Sequence, residues 1–300
     1  MFNHGNSESK AGFVAVVGRP NAGKSTLLNY LVGEKLAMVS KKAQATRKRM
    51  NIIVMHDDAQ IIFVDTPGLH ERERLLNQFM MEEALKAIGD SDLILFLAPV
   101  TDSLDEYKKF LAIIKDKNIP HIVLLTKIDR VAQAKLLSKL KDYQQFQENF
   151  EAIIPFSINK NVGQKDLLNE VVKLLPEHPW LFDPEQISTE NIRDIYKDLI
   201  RESIFENLSD EIPYESDVLI DRIEESDTLD RIIATIVVEK EMQKRMIIGN
   251  KGETIKRVGK YARKQMEIFA QKRIFLDLHV VVKKGWSKNR DSLEEMGYQF

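Results

Sequence analysis

Over the first 175 residues, short apolar runs alternate with longer segments in which apolar residues recur at helical spacing. An apolar run of about four to eight residues is typical of a buried strand, and a longer amphipathic segment is typical of a surface helix. Continuous apolar strands occur in parallel sheets that helices cover on both faces. The pattern therefore predicts an α/β fold with a mostly parallel sheet. The predicted strands are 12–18, 52–55, 60–65, 93–98, 121–126 and 152–157, and the predicted helices are 24–32, 73–89, 103–117, 132–146 and 164–175.

A proline-rich stretch at 176–184 (PEHPWLFDP) interrupts this alternation and favours an extended connection. Trp180 is expected to pack this connection onto a neighbouring domain. We divide the chain into a flexible tail at 1–10, a first domain at 11–175, a linker at 176–188 and a second domain at 189–300.

The second domain has a different order of elements. Two segments alternate like half-exposed strands, with a Ser-Asp turn between them. The order helix, strand, strand, helix, helix, strand predicts a smaller α+β domain. Its predicted helices are 189–208, 242–247 and 253–270, and its predicted strands are 218–225, 231–239 and 274–282.

Composition narrows the class of protein. The 300 residues are 43% hydrophobic and 30% charged, which excludes a disordered chain or a fibre. The absence of cysteine excludes a disulfide framework, a thiolate zinc site and a cysteine nucleophile, and it suits a reducing cytoplasm. No apolar run approaches the roughly 18 residues of a membrane span, and the polar N-terminus has no signal-peptide core. We therefore expect a cytoplasmic protein.

Charge is unevenly distributed. The net charge is −2, but residues 239–290 contain 15 Lys and Arg against 5 Asp and Glu, a local balance of +10. Such asymmetry suggests that this part of the chain binds a polyanion, although a solvated domain face would also produce it.

Residues 18–25 (GRPNAGKS) fit the phosphate-binding pattern G-x-x-x-x-G-K-[ST] between a predicted strand and a predicted helix. Glycine lets the backbone curl so that N–H groups point at a triphosphate, and the helix N-terminus adds partial positive charge. In this motif Lys24 reaches the β- and γ-phosphates and Ser25 ligates Mg²⁺. The predicted cradle consists of Gly18, Arg19, Pro20, Asn21, Ala22, Gly23, Lys24, Ser25 and Thr26.

A second motif, Asp65-Thr66-Pro67-Gly68, ends a predicted strand that lies beside the first strand in sheets of this kind. The Asp65 carboxylate is placed to hold the Mg²⁺ shell, and the Gly68 N–H is placed to sense the γ-phosphate. Alone, this segment would be a simple turn. At this distance after a phosphate loop, it predicts part of the nucleotide site.

A third motif, Thr126-Lys127-Ile128-Asp129, ends another predicted strand. Guanine presents N1–H and a 2-amino group side by side, and one carboxylate accepts from both. Adenine would leave the Asp129 carboxylate without a hydrogen-bond donor. The free-energy cost of that unpaired charge discriminates strongly against adenine. Lys127 would lay its stem over the base. The three motifs together predict a guanine nucleotide.

The C-terminal domain carries Gly249-Asn250-Lys251-Gly252, the G-x-x-G of a KH domain, between two predicted helices. Such loops clamp the backbone of about four nucleotides. Apolar side chains at Ile247, Ile248 and Ile255 would line the floor on which bases stack. The predicted RNA-binding residues are Ile248, Gly249, Asn250, Lys251, Gly252, Lys256, Arg257 and Lys260.

These motifs together resemble the translation-factor-like GTPases and, within them, the bacterial Era family. GRPNAGKST, SKKAQATRKR, DTPG and TKID occur in the family's order, and MIIGNKGETIKRVGKYAR and KKGW…LEEMGY are similar to its C-terminal part. The resemblance covers nearly the whole chain. It implies a P-loop GTPase domain at 11–175, a type II KH domain at 189–300, and hydrolysis of GTP to GDP and phosphate.

The resemblance also implies roles for single residues. Thr46 matches the switch threonine that ligates Mg²⁺, and Ser157-Ile158-Asn159 matches the last guanine-contacting loop. Two positions depart from the usual pattern: Thr126 stands where Asn is commoner and Ile158 where Ala is usual. We expect both departures to lower affinity more than to change the base.

Leu69 stands where Ras-like enzymes have a glutamine that orients water, so we expect slow intrinsic turnover. Asn21 matches an asparagine that helps related GTPases bind potassium against the phosphates, although it would otherwise only shape the loop. The proposed catalytic residues are Asn21, Lys24, Thr46 and Gly68, and the proposed Mg²⁺ ligands are Ser25, Thr46 and Asp65.

The partners implied by the resemblance are small-subunit ribosomal RNA near its 3′ end and the assembling 30S particle. Peripheral contact with the inner membrane is also implied, and DNA is not. Three alternatives remain open: an RNA chaperone with a structural, non-catalytic nucleotide pocket, an ATPase, and a GTPase that acts mainly at a membrane.

Overall fold

The computed structural model describes residues 9–19, 21–32, 50–66, 75–184, 186, 188, 192–208 and 212–298, with only the backbone at 75–80. The chain forms two compact units. The N-terminal unit carries a six-stranded sheet and the C-terminal unit a three-stranded sheet.

The N-terminal sheet has the strand order β2-β3-β1-β4-β5-β6. Only β2 runs antiparallel, paired with β3, and the other neighbours are parallel. This confirms the predicted mostly parallel sheet. The strands are β1 (Lys10–Val17), β2 (Met50–His56), β3 (Ala59–Asp65), β4 (Leu93–Pro99), β5 (His121–Thr126) and β6 (Ala152–Pro155). The helices are α1 (Lys24–Val32), α2 (Leu75–Gly89), α3 (Asp105–Ile114), α4 (Gln133–Gln144) and α5 (Gln164–Leu174).

The central strands explain the apolar runs in the sequence. Every residue of β3, β4 and β5 is buried, so these strands present no polar face. Because β1, β3, β4, β5 and β6 are parallel, their carboxyl ends lie at one edge of the sheet. The three sequence motifs follow β1, β3 and β5, and the fold therefore gathers them at that edge.

Residues 177–188 lie against the N-terminal unit where they are described. The Gln60 side chain is fully buried; its Oε1 accepts from the N–H groups of Leu181 and Phe182 at 2.8 and 2.9 Å, and its Nε2 donates to the Phe182 carbonyl at 2.8 Å. Trp180 Nε1 donates to the Asp58 carbonyl at 3.1 Å. Trp180 is 38% exposed, so its indole N–H ties this connection to the unit while much of its ring faces solvent.

The C-terminal unit has the strand order β7-β8-β9, with β7 antiparallel and β9 parallel to β8. The order of its first six elements agrees with the sequence pattern. Its strands are β7 (Ser216–Glu224), β8 (Leu229–Val238) and β9 (Arg273–Val282), and its helices are α6 (Ile192–Asn207), α7 (Glu241–Ile248), α8 (Glu253–Ala270) and α9 (Arg290–Glu295). The sequence pattern did not predict α9, since six residues are too short to show helical periodicity.

The C-terminal end of this unit is held in place by a buried apolar cluster. Trp286, Leu293, Met296 and Tyr298 are buried together with Val237 of β8. The Tyr298 hydroxyl donates to the buried Asp217 carboxylate at 2.5 Å.

Among the described helices, none is long and apolar enough to cross a membrane.

Candidate nucleotide site and nucleic-acid surface

The phosphate loop joins β1 to α1. Asn21 and Gly23 have φ angles of +62° and +109°, a region that favours glycine, and they curl the loop. A Cβ on Gly18 would lie 3.1 Å from the Leu97 carbonyl oxygen, so that position suits glycine as well. Ala22 N–H donates to the Arg19 carbonyl at 3.1 Å. Thr26 is exposed on the first turn of α1, and Pro20 lies outside the described residues.

Lys24 lies beneath this loop and is 2% exposed. Its Nζ donates to the carbonyl oxygens of Gly18 at 3.0 Å and Arg19 at 3.5 Å. Burial lowers the pKa of Lys24 to about 8, only partly opposed by the charge of Asp65. The loop thus holds a buried ammonium group on neutral carbonyls, an arrangement that an anionic ligand would stabilise.

Ser25 and Asp65 form a buried pair at the start of α1 and the end of β3. The Ser25 hydroxyl donates to Asp65 Oδ2 at 2.9 Å, and the neighbouring Thr66 hydroxyl donates to the Val16 carbonyl at 2.7 Å. Hydroxyl and carboxylate oxygens are the hard ligands that Mg²⁺ prefers, so the donor set fits this ion. Thr46, Pro67, Gly68 and Leu69 lie outside the described residues.

Asp129 lies in a short turn after β5, and the loop after β6 reaches it. Ser157 Oγ donates to Asp129 Oδ1 at 2.7 Å, and Asn159 Nδ2 donates to Asp129 Oδ2 at 2.9 Å. These two hydrogen bonds, that of Ser157 first, hold the pKa of Asp129 below its usual range. The carboxylate is therefore ionised at neutral pH, as an acceptor of two donors must be. The half-buried Ile158 lies between the two donor residues.

Two further contacts join the segment Thr126–Asp129 to the loop at 18–25. The Thr126 hydroxyl donates to the Ala22 carbonyl at 3.4 Å, and Lys127 Nζ donates to the Asn21 carbonyl at 2.7 Å. Lys127 itself has a φ of +59°, which turns the chain sharply at the end of β5. The predicted residues of the first and third motifs thus meet at one edge of the sheet.

Sequence reasoning missed one residue at this edge, Asp102. The Arg19 side chain pairs with Asp102 through Nε at 2.5 Å and Nη2 at 2.7 Å. Asp102 follows β4, and only the position of β4 beside β1 brings the two together. The resemblance had placed Asn159 in the last guanine-contacting loop, but its hydrogen bond to Asp129 was not predicted.

The G-x-x-G loop of the C-terminal unit requires its first glycine. Gly249 has a φ of +73°, and a Cβ there would lie 2.2 Å from Thr254 Oγ1. Gly252 has a φ of +78°, but a Cβ there would have no atom nearer than 4.0 Å, so its surface is open. Lys251, between them, is exposed with a φ of +48°. The loop therefore presents to solvent the backbone at Gly252 together with the side chains of Asn250 and Lys251.

One predicted RNA contact is wrong. Ile247 is fully buried and cannot line a surface on which bases stack. Ile248 and Ile255 are half-buried, and the exposed apolar side chains of α7 are instead Met242 and Met246, at 70% and 39%. The exposed basic side chains along α8 include Lys256, Arg257 and Lys260, while Asn250 is exposed in the loop.

Comparison with known proteins agrees with this geometry. Residues 13–127 match a family described as a 50S ribosome-binding GTPase, and residues 199–287 match a KH domain. The chain is 49% identical to GTPase Era of Campylobacter concisus (strain 13826) over 290 residues, which is 96% of this chain and 100% of that protein.

Two solved structures are also similar. A variant of Aquifex aeolicus Era bound to GDP·AlF4⁻ is 32% identical, with a TM-score of 0.91 over 97% of this chain and 100% of that one. Era in complex with MgGDPNP and nucleotides 1506–1542 of 16S ribosomal RNA is 33% identical, with the same TM-score and coverage.

Proposed function

The chain belongs to the Era family of GTPases, and from this premise we propose that it is a GTP-hydrolysing switch. It binds small-subunit ribosomal RNA near the 3′ end and assists assembly of the 30S particle. The observation that carries the proposal is the meeting of the phosphate loop, with its buried Lys24, and the ionised Asp129 at one edge of a sheet. The same chain also carries an open G-x-x-G loop.

GTP binds with its phosphates in the loop at 18–25 and its base against Asp129. Lys24 contributes the buried positive charge, and the backbone N–H groups of the loop bind the phosphate oxygens. Ser25 and Asp65, joined by a hydrogen bond of 2.9 Å, hold Mg²⁺, with Thr46 as a further proposed ligand. When bound, this ion neutralises charge that develops on the β- and γ-phosphate oxygens.

Base recognition combines Asp129 with the loop after β6. Asp129 accepts from N1–H and the 2-amino group of guanine, and the Ile158 N–H meets the carbonyl oxygen of the base. Lys127 is held over the phosphate loop by the Asn21 carbonyl, where its stem covers the base. Thr126 ties this motif to the phosphate loop through the Ala22 carbonyl.

Turnover is expected to depend on potassium. Leu69 cannot orient a water molecule, so charge near the phosphates must come from another group, and Asn21 lies in the exposed part of the loop. We expect GTP turnover at least about tenfold faster in potassium than in sodium buffer, since a charge that lowers the barrier by about 1.4 kcal/mol has this effect. Phosphate release under otherwise identical buffers measures it. Equal rates in the two buffers would contradict the role of potassium, and Asn21→Ala is expected to abolish the difference.

The RNA partner is tested by one titration. A labelled RNA with the sequence of the 3′ end of small-subunit ribosomal RNA is titrated with the protein in its GTP-analogue and GDP states. If Thr46 and Gly68 change contacts with the γ-phosphate, the two states should differ in RNA affinity, by about fivefold or more. Equal RNA affinities in the two nucleotide states would contradict the proposed switch but not the proposed RNA binding. Absence of RNA binding in both states would contradict the proposed RNA partner.

The G-x-x-G loop gives a sharper prediction for RNA binding. Lys251→Ala removes an exposed charge at the point where the nucleic-acid backbone approaches most closely. We expect a loss of roughly tenfold in RNA affinity and a salt dependence whose slope falls by about one. Fluorescence anisotropy at several salt concentrations measures both quantities. Lys135→Ala, an exposed lysine of α4, is the matched control and should change neither.

We propose that the protein acts in the cytoplasm and also contacts the inner membrane peripherally. The basic side chains of α8 suit an anionic lipid surface by the same electrostatics that suit RNA. Co-sedimentation with anionic vesicles, in the presence and absence of the RNA, decides whether lipid and RNA use one surface.

A further inference from the structure

The loop after β6 is rigid at the position where it meets Asp129. Reciprocal main-chain hydrogen bonds close it, from Ser157 N–H to the Val162 carbonyl at 3.1 Å and from Val162 N–H to the Ser157 carbonyl at 3.0 Å. The Ser157 hydroxyl also accepts from Lys160 N–H at 3.2 Å. Next to the loop, Gly163 has a φ of +89°, and a Cβ there would lie 2.4 Å from the Pro155 carbonyl oxygen. These contacts restrain the backbone of the loop, from which the exposed side chain of Asn159 extends.

Asn159 holds one side of the Asp129 carboxylate. Its Nδ2 lies 2.9 Å from Asp129 Oδ2, while Ser157 Oγ lies 2.7 Å from Asp129 Oδ1. An ionised carboxylate only accepts, so the asparagine presents its amino group. With one donor on each oxygen, the plane of the carboxylate is fixed. Each oxygen keeps a lone pair for a second donor.

The neighbouring strand end explains why this contact is needed. Thr126 stands where an asparagine is commoner, and its single hydroxyl reaches only the Ala22 carbonyl at 3.4 Å. A hydroxyl has one donor, whereas a side-chain amide has two donors and an acceptor. Compared with the commoner pattern, this chain therefore lacks a side-chain amide at the end of β5. Asn159 supplies one from the loop after β6.

We propose that Asn159 is a specificity-determining positioning residue, which orients Asp129 so that both carboxylate oxygens meet the two donors of guanine. The inference rests on the proposed binding of guanine nucleotides. Asn159 acts through Asp129 and binds no part of the base itself. Its contribution is therefore largest for a base with both donors.

Hypoxanthine is the base that separates these effects, because it differs from guanine only in lacking the 2-amino group. A wild-type protein that uses both carboxylate oxygens should bind GDP at least about tenfold more tightly than IDP. Asn159→Ala is expected to reduce this ratio by about fivefold, chiefly by weakening GDP, while IDP affinity changes by less than about twofold. Asn159→Leu keeps the approximate volume of the side chain and removes the donor without adding a charge, and it should reduce the ratio at least as much.

Isothermal titration calorimetry with GDP and IDP, in the presence of Mg²⁺, measures the ratio for each protein. Lys160→Ala is the matched control, an exposed residue of the same loop whose main-chain hydrogen bond to Ser157 is retained. A ratio of GDP to IDP affinity that stays at the wild-type value in both Asn159 variants overturns the inference. If the ratio stays because both affinities fall equally, the role of Asn159 is merely structural. If the wild-type protein itself does not prefer GDP, the proposed base recognition fails instead.

Discussion

Asp129→Asn is expected to exchange guanine specificity for xanthine specificity. An ionised carboxylate accepts from both guanine donors. An amide offers one acceptor and one donor, so one guanine N–H donor would face the N–H donor of the amide. Xanthine has N1–H and a carbonyl oxygen at position 2, which an amide satisfies. We expect the affinity for GDP to fall by roughly 10³-fold and XDP to become the preferred nucleotide, since mismatched buried polar groups discriminate on this scale.

Competition titrations with GDP, XDP and ADP measure this change. Asp142→Asn removes an exposed carboxylate of α4 in the same unit and should leave all three affinities unchanged. Tight ADP binding by the wild-type protein would favour the ATPase alternative. An Asp129→Asn protein that still prefers GDP would remove Asp129 as the group that reads the base.

The sheet could be predicted closely because its strands are covered on both faces. β5 was predicted at 121–126 and lies at His121–Thr126, and β4 was predicted to within one residue. A strand buried on both faces leaves a continuous apolar run, and the length of six or seven residues favours a strand over a buried helix, which is usually longer. The positions of the three motifs follow from the ends of the strands, since parallel strands bring their carboxyl termini to one edge.

Pairings between loops were not predictable in the same way. Asp102 meets Arg19 only because β4 lies beside β1. The resemblance placed Asp129 and the loop at 157–159 at the same base, but not the hydrogen bond between Asn159 and Asp129, which the pairing of β6 with β5 allows. Strand order depends on the whole fold and leaves no signal in a local window.

The error at Ile247 has a related cause. Helix α7 has eight residues, and its end reads Met246-Ile247-Ile248, so hydrophobicity alone does not show which side chain faces inward. The structure buries Ile247 and leaves Met246 exposed at 39%. Alternation identifies a face only when an element is long enough for several turns, as α8 is with its 18 residues.

Lys24→Ala is expected to abolish GTP turnover, with a loss of at least about 10³-fold at saturating GTP. The buried ammonium group is held on the Gly18 and Arg19 carbonyl oxygens, within the loop that we propose binds the phosphates. A positive charge at this point stabilises the transition state, because negative charge develops on the transferred phosphoryl group. One preorganised donor in a site of this kind contributes to the rate on this scale. Alanine supplies neither charge nor hydrogen bond, and it leaves two carbonyl oxygens without their donor.

Single-turnover phosphate release measures the loss, and complementation of ribosome assembly in cells lacking the wild-type protein measures its consequence. Lys141→Ala, an exposed lysine of α4, is the control and should behave as the wild type in both assays. The two outcomes separate a switch from an RNA chaperone whose nucleotide pocket is only structural. A switch loses function together with turnover, because its γ-phosphate contacts are released only by hydrolysis. A chaperone would retain function in the Lys24→Ala protein as long as the domain folds, since its RNA contacts lie in the C-terminal unit.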